Sequence, residues 1–174
     1  GERTALNFLQ TLSGTATIVR KYLTALEGTK TKLLDTRKTL PGLREAQKYA
    51  VKVAGGTNHR RGLYDAYLIK ENHIKAYGSI SRAIAEARKM NPDRFLEIEV
   101  QSINEFKEAA SLKPDMIMLD NFNLSNLKKA VSINSGLVKL EVSGGIDLDS
   151  LANIARTGVD YISVGALTKH CRAI

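Results

Sequence analysis

Short apolar runs alternate with helical segments along most of this chain, and that alternation limits its fold more than any other feature. The runs are Lys32–Thr36, Ala66–Lys70, Phe95–Val100, Met116–Leu119, Val138–Val142 and Tyr161–Val164. Helical patterns lie between and after them, at Leu43–Ala54, Ser79–Met90, Ser102–Ser111, Leu124–Asn134 and Leu148–Thr157. Strands alternating with helices form parallel βαβ units. Ahead of the first run, Leu9, Leu12, Ala16, Val19, Leu23 and Leu26 recur every three or four residues. That stripe predicts an amphipathic helix over Thr4–Leu26, with Gly28 ending it. Ser102 and Asp147 stand where N-caps belong, and Gly158 where a helix stops.

The residues just past each run separate an open sheet from a barrel. The first run leads into Thr36-Arg37-Lys38, the second ends on Lys70, and the third carries Glu97 and Glu99. The fourth leads into Asp120-Asn121, the fifth into Ser143-Gly144-Gly145 and the sixth into Gly165. A polar residue or glycine at every strand's carboxyl end is how a barrel assembles a site, whereas an open sheet concentrates its site at one switch point. Six strands fall short of eight. The expected fold is therefore α/β, an incomplete parallel α/β barrel of TIM-like type, with residues 1–174 forming one domain. No Pro/Gly/Ser-rich linker or low-complexity segment divides it.

Composition narrows the function. Apolar residues make up 43% of the 174, enough for a core. No apolar run approaches the ~20 residues that span a bilayer, and no segment reads as a signal peptide, so no membrane partner is expected. The single cysteine, Cys171, excludes an internal disulfide and fits a cytoplasmic protein. The net charge of +8 favours an anionic partner. Nine basic residues (Lys30, Lys32, Arg37, Lys38, Arg44, Lys48, Lys52, Arg60 and Arg61) stand against Asp35 and Glu45 in that stretch. They are interleaved with strand and turn signals instead of lining one helix. Aromatic residues are 6% and Trp is absent, so stacking platforms for bases are scarce. A small polyanion fits better than nucleic acid; a solvated basic surface is the plainer reading of most of these lysines. The chain opens at Gly1 without Met, runs straight into a helical pattern and stops at Ile174 without a closing element, as a piece of a longer protein would.

Several segments carry potential chemistry. In Asp35-Thr36-Arg37-Lys38-Thr39-Leu40-Pro41-Gly42, two cations flanked by Thr hydroxyls come after a strand, and Pro41-Gly42 turns the chain. Arg forks onto carboxylate or phosphate, and Lys suits a phosphate cluster. Gly55-Gly56-Thr57-Asn58-His59-Arg60-Arg61-Gly62 is a glycine-rich loop with His and Arg. Lys70 ends a strand and points into a barrel mouth or snorkels outward. Glu99 and Asp120 come from neighbouring strand ends, suited to Mg²⁺ or sugar hydroxyls, or to an ion pair with Arg37 or Lys70. Ser143-Gly144-Gly145-Ile146 and Ser163-Val164-Gly165-Ala166 can expose backbone N–H groups to a phosphate.

With Glu2-Arg3-Thr4-Ala5-Leu6-Asn7, Leu68-Ile69-Lys70-Glu71-Asn72-His73, Leu119-Asp120-Asn121 and Glu141-Val142-Ser143-Gly144-Gly145-Ile146, these segments resemble quinolinate phosphoribosyltransferases, also called nicotinate-nucleotide pyrophosphorylases (carboxylating). The similarity runs in order and with matching spacing from Glu2 to about Leu167. It implies a reaction of quinolinate with phosphoribosyl pyrophosphate, giving nicotinate mononucleotide, CO₂ and pyrophosphate, with Mg²⁺. It implies a homodimer or higher homo-oligomer whose subunits complete one another's mouths. By this resemblance Thr36, Arg37, His59, Arg60 and Lys70 surround quinolinate, and Arg3 reaches in from a partner. Lys38, Glu99 and Asp120 are the catalytic residues, with Glu99 and Asp120 taking the metal. Ser143, Gly144, Gly145 and Gly165 hold the 5′-phosphate. An amino-terminal α/β sandwich domain and a carboxyl-terminal segment are expected outside this catalytic barrel domain, and the chain alone is expected to be nearly inactive. Two other readings stay open: a sibling enzyme acting on nicotinate, and a barrel fragment that binds phosphate ligands without turnover.

Overall fold

The computed structural model describes residues 1–174. Its strands are β1 (Lys32–Leu34), β2 (Tyr67–Ile69), β3 (Leu96–Val100), β4 (Met116–Asp120), β5 (Lys139–Ser143) and β6 (Tyr161–Ser163). They form one parallel sheet in the order β1-β6-β5-β4-β3-β2. A long helix, α1 (Glu2–Thr24), precedes them. The crossovers are α2 (Arg44–Val53), the pair α3 (Glu71–Tyr77) and α4 (Ile80–Met90), α5 (Ile103–Ser111), α6 (Leu124–Asn134) and α7 (Leu148–Ala155). A single turn, α8 (Ala166–Lys169), comes after β6. No helix is long and apolar enough to cross a membrane.

Alternation along each strand decides what faces where. Leu96, Ile98 and Val100, Ile117 and Leu119, Leu140 and Val142, and Ile162 point toward the helices. There they join Phe106, Leu127 and Leu151 in one apolar cluster. Burying each such side chain stabilises the fold by about 1.5–3 kcal/mol. The alternate residues form rows on the other face: Glu97 lies beside Met116 and Lys139, then Glu99 beside Met118, Glu141 and Tyr161. This inner face carries the chemistry.

Edge strands β1 and β2 do not pair with each other, so the barrel has a seam. The segment after α2 partly fills it. Thr57 bridges Leu34 in parallel, its N–H donating to Leu33 O and its carbonyl accepting from the Asp35 N–H.

The expected caps form, with Ser102 accepting from the Glu105 N–H and Asp147 from the Ser150 N–H. Helix α3 was not anticipated. It begins straight after Lys70, buries no residue, and is capped by His73, whose Nδ1 accepts the Lys70 N–H. The α8 turn was also missed. The stripe on α1 holds only in part. Val19 and Leu26 are buried, but the first ten residues are exposed, Leu9 among them. The packed half of α1 meets the chain's end at Gly14, where a Cβ would lie 1.9 Å from Arg172 O.

Candidate functional site: the barrel mouth

A cavity of about 490 Å³ opens at the carboxyl ends of the strands. Thr36, Arg37 and Lys38 reach it after β1, Lys70 after β2, Glu99 from β3 and Asp120 from β4. Ser143, Gly144 and Gly145 reach it from β5, Gly165 from after β6, and His59 and Arg60 from the seam. All the residues expected at the mouth of this chain are there. Arg3, expected to act from a partner, lies on the exposed first turn of α1 and does not line it.

One side of the mouth is made of cations. Arg37 and Arg60 line the mouth, and the Nε of each is buried without a hydrogen-bond partner. A buried donor left unpaired costs about 1–3 kcal/mol. Burial, then the charge of Arg37, hold the Arg60 guanidinium below its usual pKa. Two close like charges with idle donors form a receptor for an anion. Arg44 secures the Arg37 loop by donating to Arg37 O and Thr39 Oγ1, and Thr168 Oγ1 donates to Lys38 O. Lys70 forms an ion pair with Glu99 across the mouth, so the ion pair and the inward placement of Lys70 hold together.

The opposite side offers backbone. Gly144 and Gly145 have φ of 101° and 57°, in the left-handed region. The N–H groups of Gly144, Gly145 and Gly165 have no acceptor within the chain. A Cβ on Gly144 would lie 2.2 Å from Asn121 Oδ1. Lys38 lies over Gly165, its Cδ 3.3 Å from where a Cβ would be. Asp120 accepts from the Asn121 amide at 2.8 Å and pairs with no cation.

Beneath the mouth, the expected site residue His59 meets two carboxylates, Glu97 and Glu141, that were not expected in the site. His59 Nε2 stands 2.8 Å from a Glu97 oxygen and 3.3 Å from a Glu141 oxygen, inside the barrel. Its N–H points squarely at neither, and both oxygens of Glu141 and one of Glu97 are left unpaired. Burial alone would lower the His59 pKa, and the pull of Glu141 and Glu97 raises it. Burial, then the charge of Glu141, push Glu97 up to about 7, against the pull of His59. Nδ1 accepts the Arg60 N–H at 2.8 Å, which opposes a second ring proton, so Nε2 carries a proton in either charge state. The same bond argues against a metal here. An Nε2-bound ion puts the ring proton on Nδ1, against the Arg60 N–H. Both carboxylates show in the sequence as single acids between apolar strand residues, which places them on the inner face.

Residues 15–174 match the family described as "Quinolinate phosphoribosyl transferase, C-terminal domain". The chain is 47% identical, over 99% of its length, to a nicotinate-nucleotide pyrophosphorylase [carboxylating] of Mycobacterium leprae, and covers 62% of that protein. A probable enzyme of the same name from Bacillus subtilis is 43% identical, matching 100% of the chain and 61% of that relative. The solved nicotinate-nucleotide pyrophosphorylase of Francisella tularensis superposes with a TM-score of 0.97 at 56% identity, covering 99% of this chain and 62% of that one. The chain thus spans about three fifths of these relatives' length, and it belongs to the quinolinate phosphoribosyl transferase family, as its C-terminal domain.

Proposed function

We propose that this domain transfers a phosphoribosyl group to quinolinate and supports its decarboxylation to nicotinate mononucleotide. The observation that carries this reading is the pair Arg37 and Arg60, two mutually repelling guanidiniums with idle buried Nε–H groups. A dianion with adjacent carboxylates answers both, with Lys70 beside them. The glycine N–H groups across the mouth suit the 5′-phosphate of phosphoribosyl pyrophosphate. Held between the two sides, the pyridine nitrogen faces the anomeric carbon.

The chain's residues then have distinct tasks. As the ring nitrogen bonds to the anomeric carbon and pyrophosphate leaves, positive charge builds on the ribose. Asp120 and Glu99 stabilise it, and Lys38 stabilises the departing polyanion. The positive ring nitrogen stabilises the electron pair left on the adjacent carbon as CO₂ departs, and a proton from water then completes the C–H bond there. Glu99 and Asp120 are hard oxygen donors on adjacent strands that fit Mg²⁺, with Asp120 the freer of the two. Bound there, the ion would supply charge neutralisation to the pyrophosphate. Arg3 and the exposed Leu6, Phe8 and Leu9 of α1 suit a contact in a homo-oligomer, with Arg3 entering a neighbour's mouth. A cytoplasmic setting accords with Cys171, which is a free thiol.

The test is a titration monitored through arginine Nε–H resonances. Quinolinate should shift the signals of Arg37 and Arg60 together, whereas benzoate should not. Quinolinate that leaves both unmoved would overturn this assignment.

A further inference from the structure

We infer that the buried ion pair Lys48–Asp35, together with Asn58, is a positioning device that sets the affinity of the mouth for the dicarboxylate without touching it. This rests on the functional reading above and adds three residues to it. Both charged side chains are fully buried, and neither lines the mouth. A buried ion pair is weak as a stabiliser, because desolvation offsets its attraction. Its hydrogen bonds show what it holds.

They all lead to the seam. Lys48 Nζ donates to Asp35 Oδ1 at 2.5 Å and to His59 O at 2.9 Å. Asp35 Oδ1 accepts the His59 N–H at 2.8 Å, and Oδ2 accepts the Asn58 amide at 2.7 Å. The Asn58 amide also donates to Lys48 O at 2.9 Å, closing the ring. His59 is thus gripped at its N–H and carbonyl by the ion pair. Its own ring accepts the next N–H, that of Arg60. Arg60 then spans the seam, donating from Nη1 to Ala66 O at 3.2 Å, ahead of β2. Both ring nitrogens of His59 face protein groups, so it serves as a link between the ion pair and Arg60. The glycine side of the mouth shares no hydrogen bond with this ring. A fault in the ring should therefore displace Arg60 and leave the phosphate loops in place.

The experiment is calorimetric titration of the chain with quinolinate and, separately, with inorganic phosphate. Wild type, Lys48→Met and Asn58→Ala are compared. Losing a hydrogen bond to a charged group costs about tenfold to a hundredfold in affinity. Lys48→Met should therefore weaken quinolinate by about tenfold or more, and Asn58→Ala by about threefold, with phosphate changed less than about twofold. A purely structural role would weaken both ligands in step or neither, and either result overturns the inference. Should Lys48→Met fail to fold, Asn58→Ala keeps the ion pair and decides the question by the same selectivity. Wild type that binds phosphate but not quinolinate would sink the functional reading itself. Wild type that binds both, with variants unchanged, sinks only this inference.

Discussion

The two sides of the mouth offer an anion different kinds of partner. The glycine side, proposed to take phosphate, presents backbone on loops that leave the neighbouring strands β5 and β6. Its N–H groups are aimed by the sheet and two glycines, and little else is required. The acid side uses long cationic side chains at the seam between β1 and β2, where no strand pairing directs them. It needs buried supports: Arg44 under the Arg37 loop, and Lys48, Asp35 and Asn58 behind His59 and Arg60. A barrel that stays open gains room for side-chain recognition and has to brace those side chains with polar groups in its interior.

The largest expected effect breaks the acid side. Arg37→Ala should weaken quinolinate by about a hundredfold or more, as loss of a forked charge pair would, and Arg37→Lys should not restore it. Affinity for inorganic phosphate should hold, and calorimetry of both ligands checks this. Gly144→Ala should do the reverse. The new Cβ meets Asn121 in a left-handed backbone, so phosphate should weaken by about tenfold while quinolinate binds as before. If both substitutions weakened both ligands equally, the two sides would not be separate.

Next comes the interior below the mouth. The Glu97 pKa is raised from 4.5 to about 7. A carboxyl raised on folding contributes stability that is complete below its unfolded value and is lost as pH rises through the folded one. Wild type should therefore lose stability from this group as pH rises from the ordinary carboxylate range toward neutrality. Glu97→Gln should remove that loss, so its Tm should overtake that of wild type as pH rises. A parallel pair of Tm curves would contradict the burial argument. The smallest effect belongs to a residue on neither side. Ser102→Ala removes an N-cap on α5 and should cost about 1 kcal/mol in denaturant unfolding, with no change in either affinity.

Much of this site was legible in the sequence because a polar residue or glycine stands just past each apolar run. That rule placed Arg37, Lys70, Glu99, Asp120, Ser143 and Gly165 around one mouth. Glu97 and Glu141 were equally readable from strand alternation, since each sits between apolar residues, but their meeting with His59 depends on the curvature of the sheet. Nothing local marks Lys48 as buried. It lies in a basic stretch on an amphipathic helix and is buried only because Asp35 and His59, on separate segments, converge on it. Helix α3 has no apolar stripe, being capped by His73 and left exposed, so periodicity had nothing to detect. The amino-terminal half of α1 has the stripe without the burial, because periodicity reports a face and not what covers it.

The most direct test of a mouth built for two carboxylates compares quinolinate with nicotinate, which carries one. With nicotinate, one of the idle buried Nε–H groups of Arg37 and Arg60 stays without an acceptor. Calorimetric titration of the chain should give a quinolinate affinity about a thousandfold above that for nicotinate, with Arg37→Ala shrinking the ratio. Equal affinities in the wild type would contradict it and favour a mouth that reads a single carboxylate.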